Sequence, residues 1–133
     1  MFFKVLKGVV VWQVIQICIE RHDERSLFDG FGKPQELVKI AKALNYDALG
    51  ITNHGDLSSL VSHYYACKDI GIKPVMGCEG YFLPKWNEEN KKRGYHLNLW
   101  VKNLKGYQNL NRIHTKAGKN QYYYNTNHSK RGQ

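Results

Sequence analysis

Two short, largely apolar runs in the middle of the chain flank an amphipathic stretch. Residues 48–52 and 74–78 show no polar alternation, which is typical of strands that are buried on both faces. Residues 57–70 between them carry apolar side chains at the spacing of one helix face, namely Leu57, Leu60, Val61 and Tyr64. A strand–helix–strand unit with short connections pairs its strands in parallel, so both strands end at one edge. The pattern therefore predicts a βαβ unit and an α/β fold.

The first 19 residues are mostly apolar and rich in β-branched side chains, which predicts a buried first strand. Two lysines near the start of this segment would also fit a signal peptide. However, Gln13 and Gln16 interrupt the apolar run, and no small-residue cleavage site follows it. The segment is also shorter than the ~20 residues that a membrane helix needs. We therefore expect a strand and no association with membranes.

Helix and strand patterns continue up to residue 117. Pro34 suits the first turn of a helix. The strand at 74–79 is predicted to end before Tyr81, the alternation at 96–101 predicts a further strand, and 104–117 has helical spacing. The expected order of elements is β-α-β-α-β-β-α. The predicted buried stripes are Leu37, Ile40, Ala41 and Leu44 in the first helix and Leu104, Tyr107, Leu110 and Ile113 in the last.

Composition and charge add partners and compartment to this picture. The 133 residues suffice for one domain or part of one, and the formal net charge of +9 favours acidic partners such as nucleic acid. A merely basic, soluble surface would explain the charge equally well. Three cysteines without a close pair spacing predict free thiols and a reducing, cytoplasmic compartment. The basic and aromatic segment 118–133 fits a stacking platform for single strands or, as we favour, the frayed end of a truncated domain.

Five residues with metal-binding or proton-transfer side chains follow predicted strands or lie at their edges. Parallel strands would bring them together at one edge, where α/β proteins place their sites. Histidine and carboxylate ligands suit zinc, manganese or iron, and several such sites side by side suit a centre with two or three metals. A single histidine at a strand end is more often an ordinary loop residue. The five residues are His22, Asp29, His54, Glu79 and His96, whereas the histidines without such a placement are His63, His114 and His128.

Four segments in sequence resemble the polymerase-and-histidinol-phosphatase (PHP) domain, and more narrowly the copy at the N-terminus of bacterial DNA polymerase III alpha subunits. The resemblance implies a distorted seven-stranded (β/α) barrel with a metal cluster at the carboxyl ends of its strands. This chain would contain roughly the first half of such a barrel, as a partial domain over 1–117. The segments are 26–30 (SLFDG), 49–55 (LGITNHG), 71–79 (GIKPVMGCE) and 95–110, which begins YHL.

The resemblance also implies a ligand set. The family's metal ligands fall on the five residues named above, with His54 and Glu79 at the catalytic centre and two or more zinc or manganese ions bound. The family's opening His-x-His is altered here, so Glu20 would be a ligand only in place of a histidine. The family's Thr-Asp-His-Gly contains Asn53 here, which weakens carboxylate support for the neighbouring imidazole. Further ligands are expected beyond residue 133, because a (β/α) barrel usually needs ~200 residues or more.

Three functions are compatible with this resemblance. The leading one is a PHP domain that acts in DNA replication, with a metal-dependent phosphoesterase site of the 3′-5′ exonuclease type whose activity we expect to be weak or absent in the isolated chain. The second is a non-catalytic scaffold or docking module with a degenerate metal site. The third, which we rank lowest, is a stand-alone phosphatase like histidinol phosphatase. The first two imply DNA and other polymerase or replisome segments as partners.

Overall fold

The computed structural model describes residues 2–6, 9–13, 15–26, 29–82 and 95–118. It has six strands and three helices in these ranges. The strands are β1 (Phe2–Leu6), β2 (Val9–Gln13), β3 (Ile17–Cys18), β4 (Ala48–Ile51), β5 (Lys73–Phe82) and β6 (Tyr95–Trp100), and the helices are α1 (Pro34–Ala43), α2 (Leu60–Ile70) and α3 (Leu104–Ala117). The predicted polar loop at 85–94, most of the tail at 118–133 and His128 lie outside the described residues.

Four strands form the sheet that carries the candidate site, in the order β3-β4-β5-β6. The first three are parallel, and β6 returns antiparallel to β5. The order from β3 to α3 is the predicted β-α-β-α-β-β-α, and the curled sheet corresponds to part of a (β/α) barrel. The predicted fold class is confirmed. None of the described helices is long and apolar enough to cross a membrane.

The prediction of one long N-terminal strand was wrong. β1 and β2 pair with each other in a separate antiparallel sheet, in which Leu6 lies opposite Val9. Only the two residues of β3 join the main sheet, beside β4. Two apolar runs separated by two residues, one of them Gly8, are a hairpin signal. β-Branched composition alone does not reveal that signal, because it is the same in one long strand and in two short ones.

The helices bury faces that differ from the predicted stripes. In α1 the buried residues include Val38 and Ala41, while Ile40 is 55% exposed and Leu44 is 58% exposed. Helix α2 begins at Leu60 rather than at 57, and Val61 and Tyr64 are exposed. Helix α3 has the predicted bounds, but its stripe is only partly covered. Its buried residue is Leu110, Tyr107 is partly buried, and Leu104 and Ile113 are exposed.

Packing between elements explains which faces are buried. Helix α1 contacts α2, and α2 contacts both β4 and β5. Leu49 and Ile51 lie two residues apart on β4, so they point to the same side of the sheet. Leu49 belongs to one apolar cluster on that side, and Ile51 belongs to a second one. Burial of such side chains stabilises the fold by about 1.5–3 kcal/mol each. The first cluster consists of Val38, Ala41, Leu49, Ala66, Cys67 and Ile72, and the second of Ile51, Leu60, Cys78 and Leu110.

Candidate metal centre

The parallel pairing of β4 and β5 continues beyond the end of β4 and places His54 beside Glu79. These two residues form a parallel bridge. The N–H of Gly55 donates to the carbonyl of Glu79 at 2.8 Å, and the N–H of Glu79 donates to the carbonyl of Asn53 at 3.1 Å. The backbone pairing therefore places side by side the two residues that the sequence analysis put at the centre of the site.

The antiparallel pairing of β5 and β6 adds His96. Strand β5 extends to Phe82 rather than ending before Tyr81, as the sequence analysis predicted, and Tyr81 lies opposite His96. Residues two apart on a strand share a face, and so do directly opposed pairs, so Glu79, Tyr81 and His96 project to the same side. His96 Nδ1 contacts Glu79 Oε1, and the Glu79 side chain is buried.

The loop after β3 brings His22 and Asp29 to the same place. The N–H of Thr52 donates to the carbonyl of Arg21 at 2.8 Å, which holds His22 beside the extension of β4. The loop then turns back so that the N–H of Gly30 donates to the carbonyl of Ser26 at 3.0 Å. A Cβ at position 30 would lie 1.7 Å from the Asp23 carbonyl oxygen, so only glycine fits this turn.

The five predicted residues converge. Asp29 Oδ2 lies 2.7 Å from His54 Nε2 and 3.2 Å from His22 Nδ1. Glu79 Oε2 lies 3.0 Å from His22 Nε2 and 3.5 Å from His54 Nε2. The ring centroids of His54 and His96 are 5.1 Å apart. Two overlapping groups have ligand atoms within 4.8 Å of one another, namely His22, Asp29 and His54, and His54, Glu79 and His96.

The donor atoms of this cluster fit a divalent metal ion. His22 Nε2 and His54 Nδ1 are buried and have no hydrogen-bond partner among the described residues. The 3.0 Å approach of His22 Nε2 to Glu79 is therefore a close contact without the angle of a hydrogen bond. Imidazole nitrogens and carboxylate oxygens are the ligands that zinc and manganese accept.

Ser26 connects Asp29 to His54. Its hydroxyl donates to Asp29 Oδ1 at 2.5 Å and accepts the backbone N–H of His54 at 3.1 Å. Desolvation alone would raise the pKa of the Asp29 carboxyl, but the Ser26 hydrogen bond and the neighbouring His22 and His54 outweigh it, so this pKa lies below its ordinary value. Asp29 is therefore an anion at neutral pH.

The two residues at which the chain departs from the family pattern, Glu20 and Asn53, are not among the converging side chains. Glu20 is exposed and takes part in none of the ion pairs or candidate metal groups among the described residues. The buried side chain of Asn53 makes its hydrogen bonds to Asp23 and Ser59 rather than to an imidazole. His63 lies in the core, and His114 contacts the carbonyl of Gly55.

The sequence analysis overlooked three residues of this site, namely Asp23, Ser26 and Tyr81. The Tyr81 ring stacks on His54, with centroids 5.9 Å apart and planes inclined by 10°, and meets the His96 ring edge-on at 4.9 Å. Its position two residues after Glu79 on one strand was a signal for a shared face. Asp23 and Ser26 gave no comparable signal, because polar residues in a loop predict only a turn.

Comparisons with known proteins identify the family of this chain. The model of the PHP domain family matches residues 20–131. The chain is 41% identical to the DNA polymerase III subunit alpha of Aquifex aeolicus over 113 residues, or 77% of this chain and 10% of that protein. The corresponding subunit of Treponema pallidum is 36% identical over 77% of this chain and 9% of its own length. The chain thus spans about a tenth of the curated relatives it matches.

A solved structure shows the same fold. It is a protein of Bifidobacterium adolescentis described as a candidate metal-dependent phosphoesterase, with a TM-score of 0.50 and 20% identity over 66% of this chain and 27% of that one. The match of the family model to most of the chain shows that the chain belongs to the PHP domain family. The resemblance inferred from the sequence motifs is confirmed, including its similarity to DNA polymerase III alpha subunits.

Proposed function

We propose that this chain acts in DNA replication as a PHP domain that binds divalent metal and supports phosphodiester hydrolysis. One observation carries the proposal. Three imidazoles and two carboxylates from separate segments converge at one edge of the sheet, and two buried imidazole nitrogens there lack a hydrogen-bond partner among the described residues. The net charge of +9 and the similarity to DNA polymerase III alpha subunits support DNA as the partner, with other replisome segments in the cytoplasm.

The proposed ligands divide between two ions of zinc or manganese. His22, Asp29 and His54 would hold one, and His54, Glu79 and His96 would hold the other. His54 is common to both groups, but its neutral imidazole has one lone pair and would bind one ion at a time. Bound metal of this kind supplies Lewis acidity toward a phosphoryl oxygen and lowers the pKa of bound water. Buried Glu79 orients the imidazoles, since its two oxygens face different rings.

Metal binding tests the proposal. We expect elemental analysis to find stoichiometric metal in the purified chain, and titration calorimetry to show Mn²⁺ binding. His54→Ala should raise the Kd for Mn²⁺ by about 100-fold, because His54 is the residue that the two candidate groups share. Asp69→Asn is a matched control, since Asp69 is an exposed residue of α2 outside the candidate groups. A chain without stoichiometric metal, or a Kd that His54→Ala leaves unchanged, would refute the proposal.

Nucleotide release from single-stranded DNA measures the catalytic part. We expect slow, Mn²⁺-dependent release of nucleotides. The release should be slow because Glu20 lies outside the cluster, which leaves the cluster one ligand short of the family pattern. His54→Ala should abolish it. Fast turnover would contradict this expectation. The exposed position of Glu20 also favours the second candidate, a non-catalytic docking module. Absence of both metal and hydrolysis would support that function. Activity on a small phosphomonoester alone would support the third candidate, a stand-alone phosphatase.

A further inference from the structure

Asp23 and Asn53 form a reciprocal pair of hydrogen bonds next to the candidate metal centre. The backbone N–H of Asp23 donates to Asn53 Oδ1 at 2.9 Å, and Asn53 Nδ2 donates to Asp23 Oδ1 at 2.7 Å. The two residues are 0% and 1% exposed. Hydrogen bonds of a buried carboxylate are strong and costly to break. The pair therefore ties the loop after β3 to the extension of β4.

Each member of this pair is adjacent in the chain to a candidate metal ligand. Asp23 follows His22, Asn53 precedes His54, and the two imidazole centroids are 4.8 Å apart. We propose that Asp23 and Asn53 are positioning residues that set the spacing between the His22 and His54 imidazoles. The effect that this spacing has on metal affinity rests on the proposed function. The effect of the pair on the spacing of the rings is independent of that function.

The chemistry of the pair requires one amide and one carboxylate. Asp23 Oδ1 also accepts the backbone N–H of Arg25 at 2.9 Å, and Asn53 Nδ2 also reaches Ser59 Oγ at 3.4 Å. An aspartate at position 53 would place a second carboxylate 2.7 Å from Asp23 with almost no solvent contact. Two carboxylate oxygens at this distance are both acceptors, so the hydrogen bond that Asn53 Nδ2 donates would be lost. Asn53 is thus matched to Asp23, and its departure from the family's Thr-Asp-His-Gly need not weaken the site.

Exchanging the two side chains tests this match. Asn53→Asp opposes two carboxylates. In the double variant Asp23→Asn/Asn53→Asp, the amide at position 23 donates to the carboxylate at position 53, and Ser59 can donate to that carboxylate as well. The N–H of Arg25 loses its acceptor in this variant, because it bonds to the same Asp23 oxygen that faces residue 53. Asn109→Asp is the matched control, because it makes the same exchange at an exposed residue of α3 outside the candidate groups.

Two measurements without metal and one with Mn²⁺ serve as readouts. The first two are the nuclear Overhauser effect between the ring protons of His22 and His54 and the midpoint of thermal unfolding, and the third is the Kd for Mn²⁺. We expect Asn53→Asp to abolish the ring contact, to lower the midpoint by at least about 5 °C and to raise the Kd at least about tenfold. The double variant should restore the ring contact and the Kd, and it should restore the midpoint only in part, because the N–H of Arg25 lacks its acceptor. The control should stay close to the unaltered chain.

The outcomes separate the positioning role from the proposed function. An unchanged ring contact in Asn53→Asp, or a double variant as defective as the single one, would overturn the inference. Suppose that Asn53→Asp lowers the unfolding midpoint and the double variant raises it again, while the ring contact and the Kd stay unchanged in both variants. The pair is then only structural, and the inference is wrong. If Asn53→Asp does not fold, the double variant decides the test. A folded double variant with the ring contact supports the inference, and a double variant that does not fold either overturns it. An unaltered chain that binds no Mn²⁺ refutes the proposed function, while the ring contact still decides the positioning role.

Discussion

At the scale of single residues, Ser26 connects two parts of the candidate centre through one buried hydroxyl. It donates to Asp29 Oδ1 and accepts the N–H of His54, which leaves Asp29 Oδ2 directed at the imidazoles. A hydroxyl is the smallest side chain that can both donate and accept. The orientation of Asp29 therefore depends on a residue that does not belong to the proposed ligand set.

We predict that Ser26→Ala lowers the free energy of unfolding by about 1–3 kcal/mol, because it leaves the buried N–H of His54 without an acceptor. The same substitution should raise the Kd for Mn²⁺ by about tenfold, since such supporting residues typically contribute this much. Chemical denaturation and calorimetry measure the two effects. Ser62→Ala is the control, because its hydroxyl bonds only to the carbonyl of Ser59 within the helix region. Equal effects of the two substitutions would refute this role.

At the scale of secondary structure elements, α2 is anchored to β4 by a buried histidine. His63 is 1% exposed, and its Nε2–H donates to the carbonyl of Leu49 at 2.9 Å. Burial lowers the pKa of His63, and the nearby Arg21 lowers it further, against opposing contributions from the Leu49 hydrogen bond and Asp23. His63 is therefore neutral in the folded chain, although it would titrate near pH 6.5 when unfolded.

This anchor predicts a pH dependence of stability. The unfolded chain binds the proton on His63 at a higher pH than the folded chain does, so the stabilisation is complete above about pH 6.5 and decreases as the pH falls toward the lower, folded pKa. One proton accounts for a slope of at most about 1.4 kcal/mol per pH unit. Denaturation curves between pH 7.5 and pH 5 should show a smaller slope for His63→Gln, which keeps a donor for Leu49 and does not titrate. An equal slope in both chains would contradict a neutral, buried His63.

Local patterns determined where most elements lie but not which faces they bury. The apolar runs at β4 and β5 and the spacing along α3 were sufficient to predict these elements. In α1, however, apolar residues at neighbouring positions form two overlapping stripes, and contact with α2 selects Val38 over Ile40. The convergence of the five proposed ligands was predictable because strand ends meet at one edge. The contacts of Asp23 and Ser26 were not, because they depend on how a loop folds back in space.

At the scale of the whole molecule, the candidate centre is built from residues that lie within one sheet and its adjoining loops. All five proposed ligands fall between positions 22 and 96, and the described residues bring them together without any other part of a longer protein. The two buried cysteines, Cys67 and Cys78, are poor competitors for metal. Burial raises the pKa of Cys67 to about 11 and also raises the pKa of Cys78, so both thiols stay protonated at neutral pH.

X-ray absorption spectroscopy of the zinc-loaded chain tests the central claim most directly, because it identifies the atoms bound to the metal. Zinc lies ~2.0–2.1 Å from nitrogen and oxygen ligands but ~2.3 Å from sulfur. We predict a nitrogen and oxygen shell with imidazole scattering that weakens in His54→Ala. A sulfur shell, or imidazole scattering that His54→Ala leaves unchanged, would contradict the account. The proposed ligands are His22, Asp29, His54, Glu79 and His96.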